Sequence, residues 1–165
     1  MAESSVVVRA WQVPDLPEMV RIWNSVVEAA NAFPQEEGLT ESEAEAFFAA
    51  QTLTSVAELD GQVVGLYILH PNNVGRCGHI ANASYAVDEA IRGKGIGRAL
   101  VVDSIQQAGR LGFTGLQFNA VVASNTGAIA LYERLGFQRV GVIPGGYRNG
   151  RGEDEDIIIF YIPAA

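Results

Sequence analysis

Residues 91 to 100 read IRGKGIGRAL, with Gly93, Gly95 and Gly97 set among Arg92, Lys94 and Arg98. Glycine inside a helix costs roughly 0.8–1.0 kcal/mol relative to alanine. Three of them within five residues therefore mark a turn, not a helix interior. Before the turn, GHIANASYAV (78–87) reads as a strand. After it, Ile96, Leu100, Val101, Ile105 and Ala108 share one helical face, and Gly112 stands where a helix C-cap belongs. A strand feeding a helix through a glycine turn restricts the chain to a mixed α/β class.

The remaining elements fit that class. VVVRAW (6–11) is β-branched and predicts a strand. Pro14 and Asp15 open a helix in which Leu16, Met19, Val20, Trp23, Val26, Val27 and Ala30 recur at helical spacing. Residues 31–38 form a loop. Thr40 and Glu43 spell a capping box ahead of SEAEAFFAA, a second helix. SVAELDGQVVGLYILH (55–70) is a hairpin around Asp60-Gly61, the pair that a type I′ turn favours. GLQFNAVV (115–122) predicts a strand, SNTGAIALYERLG (124–136) a helix stopped at Gly136, and FQRVGVI (137–143) a further strand. PGGYRNGRGEDED (144–156) reads as a polar loop before a last strand, IIIFYI (157–162). The predicted order is β-α-α-β-β-β-α-β-α-β-β.

At 165 residues, 48% of them hydrophobic, the chain predicts a single domain spanning 1–165. Its formal net charge of −8 repels nucleic acid and anionic membrane. Cys77 is the sole cysteine, which excludes an internal disulfide and fits a reducing compartment. The N-terminus, MAESSVVVRAWQ, lacks the basic and apolar regions of a signal peptide. The reading is a soluble, cytoplasmic protein with no nucleic-acid or membrane partner. Against this acidic background the glycine turn is a local basic patch, suited to a small anion.

The turn opens a helix, where free N–H groups and the helix dipole attract phosphate. Glycine lets an anion approach the backbone closely. A Walker A loop is excluded, because no Ser or Thr follows Lys94 and the spacing fails. A dinucleotide fingerprint also fails, on glycine spacing and on a missing downstream acid. The pattern R-x-x-G-x-G matches Arg92, Gly95 and Gly97. That motif after a strand, then a helix, a strand and NTGAIALYERLGF, resembles the GCN5-related N-acetyltransferases. The resemblance covers nearly the whole chain in element order and is most specific between Ser84 and Gly141.

It implies a mostly antiparallel mixed sheet flanked by helices, with strands splayed at an acetyl-CoA site. It also implies acetyl-CoA as donor, an amine as acceptor and no metal. The amides of Gly93, Lys94, Gly95, Ile96, Gly97 and Arg98, with Arg92, would hold the pyrophosphate. Asn125 would bond the pantetheine arm, although an asparagine there also suits a helix N-cap. Backbone near Tyr85, Ala86 and Val87 would steady the oxyanion. Tyr132 would protonate the departing thiolate, and its helical spacing with Ile129 and Leu135 equally suits core packing. Such enzymes often carry a carboxylate base on the strand before the glycine turn. Here HIANASYAVDEA offers none before Asp88, which leaves a water chain to backbone carbonyls, Ser84 or His79. His70 reads as structural. Cys77 lies upstream of the strand that would line the site and is a poor covalent relay.

Asn82 and Asn119 each fall in mid-strand, where asparagine is disfavoured. They suit either strand bracing or a grip on a small polar acceptor. GRCGHIANASYAV, LQFNAVVASN and IPGGYR look like the fungal and bacterial subfamily related to the yeast proline-analogue acetyltransferase. That likeness implies an amino-acid-like acceptor such as a cyclic imino acid, attacked directly in a ternary complex. Two alternatives stay open: a protein or peptide acetyltransferase, and a non-catalytic acyl-CoA-binding module. A homodimer is compatible with either.

Overall fold

The computed structural model describes residues 5–91 and 93–164. Strand β1 (Val7–Ala10) leads through a short 3-10 turn to α1 (Leu16–Ala29) and α2 (Glu41–Ala49). Strands β2 (Leu53–Leu59), β3 (Gln62–Pro71) and β4 (Ile80–Val87) follow, then α3 (Ile96–Arg110), β5 (Gly115–Val122), α4 (Thr126–Arg134), β6 (Gln138–Arg148) and β7 (Asp154–Pro163). The helix and strand order matches the sequence reading. All seven strands form one sheet in the order β1-β2-β3-β4-β5-β7-β6. Every neighbouring pair is antiparallel except β4 and β5.

Local chemistry explains the joints. Asp60 and Gly61 both take positive φ, 52° and 79°, as a type I′ turn between β2 and β3 requires. Thr40 caps α2 by accepting from the Glu43 N–H at 3.3 Å. Asn125 caps α4 by accepting from the Ala128 N–H at 3.4 Å.

The sheet separates two cores. On one face, Met19, Ile22, Trp23 and Val27 of α1 pack with Ala44 and Phe48 of α2 against Val56, Leu66 and Ile68. Trp23 packs at tilted and edge-on angles against Phe33, Phe47 and Phe48, at ring separations of 4.6, 5.4 and 6.0 Å. On the other face, Ile96, Leu100, Val101 and Ala108 of α3 pack on Tyr67, Leu69, Ala81 and Ala83. Two hydroxyls pin α3 to the sheet. Tyr67 donates to Asp103 Oδ2 at 2.6 Å, and Tyr85 donates to Ser104 Oγ at 2.7 Å, which itself donates to the Val101 carbonyl. These bonds fix where the N-terminus of α3 points.

One expectation is corrected. The polar stretch 144–156 is not a loop: 144–148 extend β6 and 154–156 begin β7. The β6–β7 ladder runs on through Tyr147 opposite Glu155 and Arg148 opposite Asp154, past an irregularity between Ile143 and Tyr147. Gly145 at φ 63° absorbs that irregularity. Only 149–153 turn.

Candidate active site

Strands β4 and β5 pair only at Ile80 with Gly115 and Ala81 with Leu116. Beyond those positions they part, and the gap between them is the candidate site. The β3–β4 register is unbroken from Pro71 opposite Ala81 to Gly65 opposite Val87. The Ile80 carbonyl and the Asp88 N–H both bond toward β3, while the His79 carbonyl bonds toward β5. Backbone direction alternates along a strand. The N–H groups of Ala83, Tyr85 and Val87 therefore face the gap, and that of Ala86 faces β3.

A cavity of about 500 Å³ opens on the α3 side of the gap. Tyr85, Val87, Gly93, Lys94, Gly95, Ile96, Gly97, Asn125 and Tyr132 all line it. Gly95 is the N-cap of α3 at φ 74°, and Gly93 has φ 73°. A Cβ built on either glycine meets nothing within 4 Å, so the space above the turn is open. Among the described residues, none accepts a hydrogen bond from the backbone N–H groups of Gly93 to Arg98. A row of free N–H donors at a helix N-terminus is an anion cradle.

Two residues expected here turn their side chains elsewhere. The side chain of Ala86 is buried on the opposite face, in the α1–α2 core. Arg98 is exposed and borders a shallow cleft beside Val6 and Val8 on the far side of α3. Arg92 lies outside the described residues.

A smaller cavity of about 190 Å³ adjoins the first. Asn82, Ser84, Phe118, Asn119, Val121 and Val122 line it, under a roof of Ala32, Phe33 and Pro34. Ala32, Tyr85, Asn125 and Tyr132 belong to both cavities, so the two communicate there. No charged side chain lines the smaller cavity among the described residues. His79 is not on its wall. Asn82 is half-buried and donates to the Gln117 carbonyl across the gap at 2.9 Å. Asn119 is exposed; it accepts from Gln117 Nε2 at 3.0 Å and donates to Asn72 Oδ1 at 2.6 Å. Asn82 thus braces the parted strands, Asn119 ties β5 to the loop after β3, and both also face the cavity.

Tyr132 sits at the junction. Its ring packs on Phe118, Phe137 and Phe160 at 4.6, 5.4 and 5.6 Å. Its hydroxyl has no hydrogen-bond partner among the described residues, and burial pushes its phenol pKa up. It therefore stays protonated across the neutral range, as a proton donor must. Asp88 and Glu89 are the carboxylates on the larger cavity. Asp88 is engaged: Arg21, which donates to it at 2.8 Å, holds its carboxyl below the usual range, and the Ala90 N–H bonds it at 3.0 Å. This leaves Asp88 as an organiser of the turn into the cradle.

Sequence reasoning missed the roof. Val26 and Ala29 of α1, with Asn31 and Ala32, line the larger cavity, and 32–34 cover the smaller one. The available signal was the abrupt end of the α1 apolar stripe just before Phe33-Pro34. Among the described residues there is no cluster of His, Cys, Asp or Glu that could hold a metal ion, and no helix is long and apolar enough to cross a membrane.

A splayed β4–β5 pair beside a glycine-led helix is the arrangement that the resemblance to the acetyltransferases implies. Residues 19–137 match the acetyltransferase (GNAT) family model, and the chain belongs to that family. It is 34% identical over 137 residues to N-acetyltransferase aca1 of Schizosaccharomyces pombe, a match covering 73% of this chain and 66% of that protein, just under two thirds of its length. A GCN5-related N-acetyltransferase structure from Kribbella flavida is 34% identical with a TM-score of 0.88, covering 96% of this chain and 97% of the other. The same fold occurs in a phosphinothricin acetyltransferase from Sinorhizobium meliloti in complex with acetyl-CoA, at 23% identity and a TM-score of 0.89, covering 97% and 89%.

Proposed function

We propose that the protein transfers the acetyl group of acetyl-CoA to the amine of a small amino-acid-like acceptor, such as a cyclic imino acid. The observation that carries this reading is the junction of two cavities at Tyr132, one ending in an anion cradle and one uncharged and small. The residues present suit acetyl-CoA. Free N–H groups from Gly93 to Arg98 would hold the pyrophosphate, with Lys94 adding positive charge. Asn125 caps α4 through its oxygen, which leaves its Nδ2 to donate to the pantetheine arm. When bound, the thioester supplies the activated acyl group.

The chain's own groups supply the rest. The N–H groups of Tyr85 and Val87 face the gap and would donate to the oxygen that gains charge during attack. Tyr132, protonated and unpartnered, would give its proton to the leaving sulfur. Asn82 and Asn119 would orient the acceptor through amide groups. With no carboxylate on the acceptor wall, the amine proton would leave through water held by Ser84 and the free carbonyls of the gap. A cavity of about 190 Å³ suits an acceptor of a few heavy atoms better than a peptide.

The test is thiol release from acetyl-CoA with cyclic imino acids, linear amino acids, polyamines and peptides. Release with small imino or amino acids supports the proposal. Acetylation of peptides alone would transfer the assignment to a peptide acetyltransferase. Acetyl-CoA binding with no release on any amine would leave an acyl-CoA-binding module.

A further inference from the structure

Tyr147 takes no part in that chemistry, yet it is buried and its hydroxyl crosses the molecule. It stands on β6 and donates to the Phe33 carbonyl at 2.8 Å, 114 positions earlier in the chain. Phe33 belongs to the roof of the smaller cavity. Its ring is held from the other side by Trp23, at 4.6 Å. A second tie lies beside the first: the Gly150 N–H donates to the Ala30 carbonyl at 3.0 Å. Ala30 has φ 51°, a left-handed conformation uncommon for alanine. A Cβ on Gly150 would come within 2.9 Å of the Ala30 Cβ, so this contact needs glycine.

The hairpin tip is built to be stiff. Asn149 accepts from the N–H groups of Arg151 and Glu153 at 2.9 and 3.0 Å and donates to Glu155 at 3.1 Å. Ser124, the residue before Asn125, lies beside Glu155 and helps hold its carboxyl below the usual range. The β6–β7 region therefore holds the 30–34 loop through two hydrogen bonds and lies against the start of α4.

We infer that Tyr147 is a positioning residue for the acceptor: by fixing the Phe33 carbonyl it sets the height of the roof and the size of amine admitted. This rests on the smaller cavity being the acceptor site. Tyr147→Phe removes one buried hydrogen bond and keeps the ring. The acceptor KM should rise roughly 5- to 20-fold, as the loss of one such bond gives. The acetyl-CoA KM should stay within about twofold, because the cradle is untouched. Larger amines should gain on smaller ones in relative kcat/KM. Gly150→Ala, which presses on the same loop without touching Tyr147, should move the acceptor KM in the same direction.

Hydrogen exchange at 31–35 provides a readout independent of turnover and should quicken in Tyr147→Phe. Unchanged exchange would overturn the inference. So would quickened exchange with an unaltered acceptor KM, or an equal rise in both KM values. Inactivity of the wild type on every small amine would instead defeat the acceptor reading, and with it the functional half of this one.

Discussion

The two cavities are made of different materials. The larger ends in backbone: at its cradle, five residues of one turn, Gly93 to Gly97, line the wall at the start of α3. The smaller is made of side chains drawn from the 32–34 loop, β4, β5 and α4. A backbone cradle recognises a group common to every acyl-CoA and tolerates few substitutions. A side-chain cavity can change its ligand by single replacements without disturbing the sheet. The contrast explains how one fold keeps its donor while its acceptor varies.

The largest effect expected from breaking this contrast is on the donor side. Gly95→Val places a β-branched residue at φ 74° and fills the open space above the turn. Acetyl-CoA affinity should fall by about 100-fold or more. Calorimetry on the folded variant checks this, and unchanged affinity removes the cradle.

At the junction, Tyr132→Phe should lower kcat by roughly 10²- to 10⁴-fold, the usual worth of a general acid. Acetyl-CoA affinity should stay intact, because the ring still packs on Phe118 and Phe137. Pre-steady-state rates, which isolate the chemical step, provide the check.

On the acceptor side, Asn82→Ala and Asn119→Ala should each lower kcat/KM for the acceptor roughly 10- to 150-fold and spare acetyl-CoA binding, if each donates to a charged group on the ligand. Asn82→Ala also strips the Gln117 carbonyl of its partner, so its melting temperature should drop more than that of the exposed Asn119→Ala. Lost stability with normal kinetics in both would reduce the pair to strand bracing.

The smallest effect at neutral pH is none at all, and it appears only in alkali. Burial raises the phenol pKa of Tyr67, Tyr85 and Tyr132. In the unfolded chain these groups ionise near pH 10. Above that pH the unfolded state binds fewer protons than the folded one, so stability falls as pH rises. Each tyrosine contributes a loss of about 1.4 kcal/mol per pH unit, while below pH 10 its contribution is fully present. Denaturant titrations at pH 9, 10 and 11 should show the decline, and Tyr67→Phe should flatten it.

The same contrast decides what could be read from sequence. The cradle occupies contiguous residues and its glycines have a local reason, so 93–97 are visible in one dimension. Tyr132 and Asn125 stand out only through the resemblance to the acetyltransferase family; their spacing on α4 alone suits core packing and N-capping equally well. The roof is not visible, because its meaning comes from Tyr147 and Gly150 more than a hundred positions away. The extension of β6 and β7 through 144–156 is hidden for a related reason. Its glycines and charges show no alternation, and the ladder is held by pairing across the hairpin, as between Arg148 and Asp154 at 2.8 Å. At Ala86 and Arg98 a run of neighbouring residues does not present its side chains to one surface. Strand alternation turns Ala86 away from the gap, and helical rotation carries Arg98 to the far side of α3.

The central claim is that acetyl passes directly from the larger cavity to an amine in the smaller, with both occupied at once. Initial velocities measured while acetyl-CoA and a small imino-acid acceptor are varied together test it most directly. Intersecting double-reciprocal lines are the predicted result, since transfer at Tyr132 requires a ternary complex. Parallel lines, with an acetylated protein isolable before the acceptor is added, would contradict it.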